Sequence, residues 1–317
     1  MTTKTEVLIA APFPPFLKNP IVEGYVAHDY AAATDKNALL REVGGAVRGL
    51  FCGGGTVLPA SMLDQLPKLE MISVFGVGYD GVPIEYCKQR GIKVGHTPNV
   101  LSDEVADLAM ALMLMSARQL VANHQFVERG EWLKAGYPLC NSVHHKKVGI
   151  IGLGRIGMTI AKRCAGFDMD ICYHSRNARN DVPYQYFGSL IDMAREVDFL
   201  VAITPGGAST KHMVGADVLA ALGKSGILIN VARGSVVDTD ALIAALDAGT
   251  VGGAGLDVFE DEPRVPAALF NRPNVVLLPH VASATHETRL AMANLTLDNA
   301  SAHFAGKPLV ALIPEMQ

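Results

Sequence analysis

The segment Val148-Gly149-Ile150-Ile151-Gly152-Leu153-Gly154-Arg155-Ile156-Gly157 constrains this chain more than any other. An apolar run enters a G-x-G-x-x-G turn and leaves into residues that suit a helix, so a strand, a tight turn and a helix must follow one another in a parallel α/β layer. Gly152 permits the turn, Gly154 lets the backbone approach a pyrophosphate, and Gly157 allows helix and strand to pack closely. The first N–H groups of the helix then face an anion, which is the signature of a dinucleotide site. Leu153, Arg155 and Ile156 complete that candidate loop.

The rest of the chain agrees with a parallel sheet. From Lys146 onward, apolar runs at 146–152, 169–173, 197–203, 226–232, 252–258 and 275–279 alternate with helix-like stretches. Runs such as Phe199-Leu200-Val201-Ala202-Ile203 are apolar at consecutive positions, as expected when helices cover both faces of a sheet. Six such strands predict a doubly wound parallel sheet of Rossmann type. Weaker alternation at 6–10, 46–51, 70–75 and 92–95 predicts a second, smaller α/β domain. A length of 317 residues suits two domains. We place a dinucleotide-binding domain at 99–286 and a substrate-binding domain at 1–98 plus 287–317.

A single long helix is expected from Ser102 to about Arg129, opened by Asp103 and Glu104, whose carboxylates suit the positive end of a helix dipole. Its stripe of Leu108, Leu112, Met115 and Leu120 reads either as core or as the face of a symmetric dimer. The apolar run 108–117 is bounded by charges and is shorter than the ~20 residues that span a bilayer, so no membrane partner is expected. Pro12-Phe13-Pro14-Pro15 reads as a stiff loop.

Charge and cysteine usage narrow the partners. With 27 basic and 31 acidic residues the net charge is −4 and no basic stripe is present, which argues against nucleic acid. Cys52, Cys87, Cys140, Cys164 and Cys172 are odd in number and lack C-x-x-C spacing, so reduced thiols and a cytoplasmic setting are expected, with no metal site. After the second strand of the predicted sheet, where an acid would hold the ribose hydroxyls of NAD, the chain reads Tyr173-His174-Ser175-Arg176-Asn177. A hydroxyl and a guanidinium there suit a 2′-phosphate, which predicts NADP in preference to NAD. Arg179 either shares that role or has none.

Three strand ends then carry polar groups: Arg233 in Asn230-Val231-Ala232-Arg233-Gly234-Ser235, Glu262 in the acidic run after Asp257, and His280 after Pro279. In an open α/β sheet ligands bind beyond the carboxyl ends of strands, so their succession points to one catalytic set.

With these motifs in place the chain resembles the D-2-hydroxyacid dehydrogenase family, closest to its glyoxylate/hydroxypyruvate reductase branch. The resemblance runs from Phe75-Gly76-Val77-Gly78-Tyr79-Asp80 through the glycine turn and Gly253-Ala254-Gly255-Leu256-Asp257-Val258-Phe259 to Pro279-His280. It implies that Arg233, Glu262 and His280 are catalytic and that Val77 and Gly78 offer backbone N–H groups to the substrate carboxylate, with Arg233 and His280 also on the substrate. It further implies cofactor contacts at Thr204, Pro205, Thr210, Val231, Ala232, Arg233, Asp257, His280 and Ser283, beside Ser175, Arg176 and Asn177. Two positions depart from the family pattern. Ser175 replaces the usual acid, and Gly206-Gly207-Ala208-Ser209-Thr210 replaces the usual Leu-Thr after Pro205.

The expected chemistry follows. Arg233 and the backbone at Gly78 fix a 2-keto acid against the nicotinamide, Arg233 stabilises charge growing on the carbonyl oxygen, and His280 donates the proton. An ionised Glu262 beside His280 favours the imidazolium. Glyoxylate and hydroxypyruvate lead as substrates of an NADPH-dependent reductase acting as a homodimer. A bulkier acid such as hydroxyphenylpyruvate, a catalytically silent dinucleotide-sensing relative, and oxidation of an inorganic anion such as phosphite are the alternatives. Phe13 and Trp132 either shape the pocket or pack in an apolar layer.

Overall fold

The computed structural model describes residues 4–317. The chain divides into two compact units, one comprising the chain up to Leu101 with Ala284–Gln317, the other Ser102–Ser283. The sequence reading put these boundaries at 98/99 and 286/287.

The smaller unit holds five strands: β1 (Glu6–Ile9), β2 (Val26–Asp29), β3 (Gly49–Gly53), β4 (Met71–Phe75) and β5 (Lys93–Gly95). All pair in parallel, in the order β2-β1-β3-β4-β5 of a flavodoxin-like sheet. Four of these strands were predicted; β2 was not. Its Val26-Ala27-His28-Asp29 lies at the sheet edge and buries none of its residues, so it lacks the apolar run that marks an inner strand. Pro15 opens the helix Pro15–Gly24 at a position where a missing N–H costs nothing, so only the first part of the Pro-rich stretch is loop. The helix His286–Phe304 docks on β4 and on the residue after β5 through buried polar groups: Ser73 Oγ donates to Thr296 O (2.8 Å), and Asn299 Nδ2 donates to His96 O (3.2 Å).

The larger unit is a seven-stranded parallel sheet of β6 (Lys147–Ile151), β7 (Asp170–His174), β8 (Gln185–Tyr186), β9 (Phe199–Ala202), β10 (Ile227–Asn230), β11 (Gly253–Leu256) and β12 (Val275–Leu277). The order is β12-β11-β10-β9-β6-β7-β8, the doubly wound pattern in which the chain reverses direction at β6. Six strands were expected, and the seventh, β8, is a two-residue edge pair too short to leave a periodic signal. The four residues of β9 and of β10 are all buried, as helices on both faces require. One face packs Met193, Leu219, Leu222, Leu242 and Leu246 in a common core.

The long helix is broken. Gln119 adopts a left-handed conformation (φ 49°), and Ser102–Ala117 and Leu120–Glu128 meet at a bend of 58°. Asn123 Nδ2 donates to the carbonyls of Arg118 and Gln119 at the break (2.9 and 3.1 Å), and Gln119 O also accepts from Asn123 N (2.9 Å) as the second helix begins. The buried face of Ser102–Ala117 runs through Val105, Ala106, Ala109, Met110, Leu112 and Met113, whereas Leu120 is exposed and Leu108 and Met115 are half-buried. Among the described residues no single helix is long and apolar enough to cross a membrane.

Candidate active site

Gly152 follows β6 with φ 99°, which turns the chain from strand to helix. A Cβ at Gly157 would lie 2.2 Å from Gly152 O, so glycine alone lets the helix Arg155–Ala165 start this close to the turn. Gly154 caps that helix with its backbone only; no side chain occupies the N-terminus, and a Cβ on Gly154 would meet nothing within 4 Å. The first amides, on Arg155, Ile156 and Gly157, have no carbonyl one turn back to accept them. The open space over Gly154 and these uncapped donors fit a dinucleotide pyrophosphate.

At the end of β7 no carboxylate takes the place of Ser175. Ser175 Oγ donates to Asn177 O (2.6 Å) and closes the turn, while Arg176 is exposed and makes no hydrogen bond or ion pair among the described residues. Arg179 is committed: its guanidinium donates to Leu153 O in the glycine turn (2.6 Å) and to Asp181 (2.9 Å), and its amide donates to Tyr173 Oη (2.7 Å). It braces the two loops against each other. Thr204 and Pro205 follow β9, and Thr210 Oγ1 donates back to Pro205 O (2.8 Å), closing the loop between them.

The strand register brings the three polar strand ends together. Asn230 pairs with Leu256 and Leu256 with Leu277, so β10, β11 and β12 end level. One residue past β11, Asp257 N donates to Asn230 O (3.0 Å), and three past β12, His280 N donates to Asp257 O (2.8 Å). His280 Nδ1 lies 2.7 Å from Glu262 Oε2, so the hydrogen belongs on Nδ1, and Nε2 has no partner among the described residues. Glu262 Oε1 accepts from Phe259 N (3.0 Å). Burial pushes the Glu262 carboxyl up, but the His280 ring, the Phe259 amide and the charges of His280 and Arg233 outweigh it and hold it below the ordinary range. Arg233 begins the turn after β10, where Asn230 Nδ2 donates to its carbonyl (3.0 Å) and its Nη1 donates to Ala232 O (2.8 Å). Val231 and Ala232 are buried beneath it.

Asp257 is fully buried, and burial pushes its carboxyl up. Its oxygens accept from Val281 N (2.7 Å) and Ala282 N (2.9 Å). Those bonds hold His280 at φ 54°, a conformation a side chain adopts only when its surroundings enforce it. Ser283 ends the same loop.

Sequence reading missed a second clamp. His212 Nε2 lies 2.6 Å from Glu260 Oε1, His212 N donates to Ser235 O (2.8 Å), and Glu260 Oε2 accepts from Thr239 N (3.3 Å). His212 and Glu260 are 48 residues apart, and no spacing announces such a pair. In the smaller unit Val77 and Gly78 follow β4, and Phe13 packs edge-on against Phe75 at its end (5.9 Å). Trp132 is 69% exposed.

A doubly wound sheet with a glycine turn at its switch point and an arginine and a His–Glu pair at its strand ends is the frame of a nicotinamide-dependent dehydrogenase. Residues 110–282 match the family model described as D-isomer specific 2-hydroxyacid dehydrogenase, NAD binding domain, and the chain belongs to that family. It is 42% identical over 304 residues to a glyoxylate/hydroxypyruvate reductase A of Arabidopsis thaliana, covering 96% of this chain and 97% of that protein. It is also 42% identical over 310 residues to a 2-ketogluconate reductase of Gluconobacter oxydans, covering 98% and 99%. The crystal structure of an NADPH-dependent glyoxylate/hydroxypyruvate reductase from Sinorhizobium meliloti with NADP and malonate superposes with a TM-score of 0.91 at 42% identity, covering 99% of this chain and 98% of that one.

Proposed function

We propose that the protein reduces glyoxylate or hydroxypyruvate to the D-2-hydroxy acid, with NADPH as the preferred cofactor. The observation that carries this reading is the His280–Glu262 pair at 2.7 Å on the strand ends next to Arg233. A nicotinamide supplies the hydride when bound. Arg155, Ile156 and Gly157 present their amides to its pyrophosphate, Ser175 and Arg176 take the 2′-phosphate, and Thr204, Pro205 and Thr210 line the ribose side. Arg233 grips the substrate with a planar guanidinium and stabilises charge that grows on the carbonyl oxygen. Val77 and Gly78 give their N–H groups to the carboxylate. His280 delivers the proton from Nε2 to that oxygen, and Glu262 fixes the ring by its Nδ1 and balances its charge. Asp257 serves by holding the His280 loop.

NADPH oxidation followed by absorbance with glyoxylate, hydroxypyruvate, 2-ketogluconate and hydroxyphenylpyruvate tests the reading. Turnover led by glyoxylate or hydroxypyruvate is expected. Preference for a larger acid moves the assignment to the bulkier class, and no turnover with any of the four overturns it.

The protein acts as a homodimer on this reading. Leu120, Val121, Val127, Trp132, Leu133 and Leu139 are exposed along one continuous stretch of chain, with Leu133 at 93% and Leu139 at 103%. A run of apolar side chains this open calls for a covering partner, and light scattering on the purified protein measures it. Four buried thiols, which burial pushes up to about 11 or about 12, fit the reducing cytoplasm.

A further inference from the structure

Two consecutive peptide groups after β4 have their oxygens held and their nitrogens unspent. Thr97 N donates to Gly76 O (2.9 Å), and His96 Nδ1 lies 3.0 Å from Val77 O. A carbonyl only accepts, so Nδ1 carries the hydrogen. The amides in the same two peptide planes, Val77 N–H and Gly78 N–H, donate to no acceptor among the described residues. In a planar trans peptide the N–H points opposite to the C=O, so holding one aims the other. Successive amides aimed to one side form an anion-binding concavity.

We propose that His96 is a positioning residue for substrate: its ring holds the Val77 carbonyl and thereby aims Gly78 N–H at the substrate carboxylate, while the Thr97 amide aims Val77 N–H. The proposal rests on the reading that these two amides receive the carboxylate. The ring is well placed to act as a fixed post. His96 is buried, its own N donates to Ala311 O (3.0 Å), and its carbonyl accepts from Asn299 Nδ2 (3.2 Å). Tyr79 meets the ring edge-on at 5.4 Å, and its hydroxyl donates to Glu315 Oε2 (2.7 Å). The returning C-terminal segment thus braces the post from both sides.

Three variants separate positioning from packing. His96→Asn keeps a donor on the atom that replaces Nδ1, His96→Asp keeps the shape without the donor, and His96→Leu removes the polarity. In the NADPH-loaded enzyme the Leu and Asp variants are expected to raise the glyoxylate KM and the oxalate inhibition constant about tenfold or more, Asp the more, because its carboxylate repels the Val77 oxygen. The Asn variant should stay within about threefold of the native enzyme on the same scale, and NADPH affinity should hold in all three. A native oxalate constant in the Leu or Asp variant overturns the proposal, as does an Asn variant no better than Leu. Where Leu or Asp does not fold, His96→Gln, whose donor sits one methylene farther out, should weaken oxalate several-fold, and a native value there overturns it equally. A crystal structure of the native enzyme with NADPH and oxalate tests the underlying reading by itself. A carboxylate found away from Val77 N and Gly78 N sinks that reading, and the proposal with it, whatever the variants do.

Discussion

Gly234→Ala is the sharpest single perturbation of the proposed catalytic set that leaves every catalytic side chain in place. A Cβ at Gly234 would lie 1.9 Å from Phe259 C, 2.0 Å from Phe259 O and 2.3 Å from Glu260 N, whereas real Cβ atoms essentially never approach closer than 3.0 Å. The obstructing atoms are backbone, so no rotamer change relieves them, and the two loops must part by about 1 Å. The turn has little freedom to retreat: Val236 is fully buried, its carbonyl accepts from Val214 N (3.0 Å), and Ser235 O accepts from His212 N (2.8 Å). The displacement therefore falls between Arg233, on one loop, and Glu262 with its Phe259 anchor, on the other. A misplacement of about 1 Å between reacting groups costs on the order of 100-fold in rate. Overpacking costs about 1–3 kcal/mol, which for a unit of this size lowers Tm by roughly 2–10 °C. Steady-state reduction of glyoxylate, NADPH titration and thermal unfolding measure the three quantities. We expect kcat down about 100-fold, Tm down by the stated margin and NADPH affinity little changed, since the glycine turn lies at another strand end. Native kcat in the folded variant would refute the claim that these two loops set the catalytic geometry.

His280→Ala should lower kcat by about 100- to 10,000-fold while NADPH still binds, and near-native turnover removes the general acid assignment. Ser175→Asp combined with Arg176→Ala should move kcat/KM from NADPH toward NADH by about tenfold or more, since it replaces a donor and a cation by a charge that repels a 2′-phosphate; an unchanged ratio places the discrimination elsewhere. Glu262 is held below the ordinary glutamate value of 4.5 by His280, the Phe259 amide and Arg233, so its contribution to stability is fully present above that value and is lost as pH falls through its own lower one. The urea midpoint of native protein should thus exceed that of Glu262→Gln by a constant margin at neutral pH and converge with it under acid. A margin that persists unchanged to the lowest pH contradicts the sign.

What could be read from the chain divides along a physical line. The glycine turn was legible because its requirements are backbone requirements: only glycine meets φ 99° at Gly152 and a 2.2 Å approach at Gly157. The placing of Arg233, Glu262 and His280 on loops at one edge of the sheet was legible because each lies in the segment after an apolar run, and parallel strands in register deliver such segments to one edge. The break at Gln119 carried no glycine or proline to mark it, and the bonds of Asn123 to the carbonyls of Arg118 and Gln119 appear only in three dimensions. Of the stripe Leu108, Leu112, Met115 and Leu120 only Leu112 lies on the buried face, because Ser102–Ala117 is apolar nearly all round and periodicity loses its meaning on such a helix.

The remaining gaps have one cause. Arg179 on Leu153, His212 on Glu260, Asp257 on Val281 and Ala282, and His96 on Val77 each join the loop after one strand to the loop after another. A sheet of parallel strands sets the ends of its loops close together but leaves their paths free. Short polar bonds between neighbouring loops are what convert that proximity into fixed geometry, and they span separations from 19 to 48 residues that no local pattern encodes. The groups proposed to touch substrate are thus written at strand ends, while the groups proposed to aim them emerge only once the sheet has formed. Substitutions in this second set should spare folding and cofactor binding more than they spare turnover.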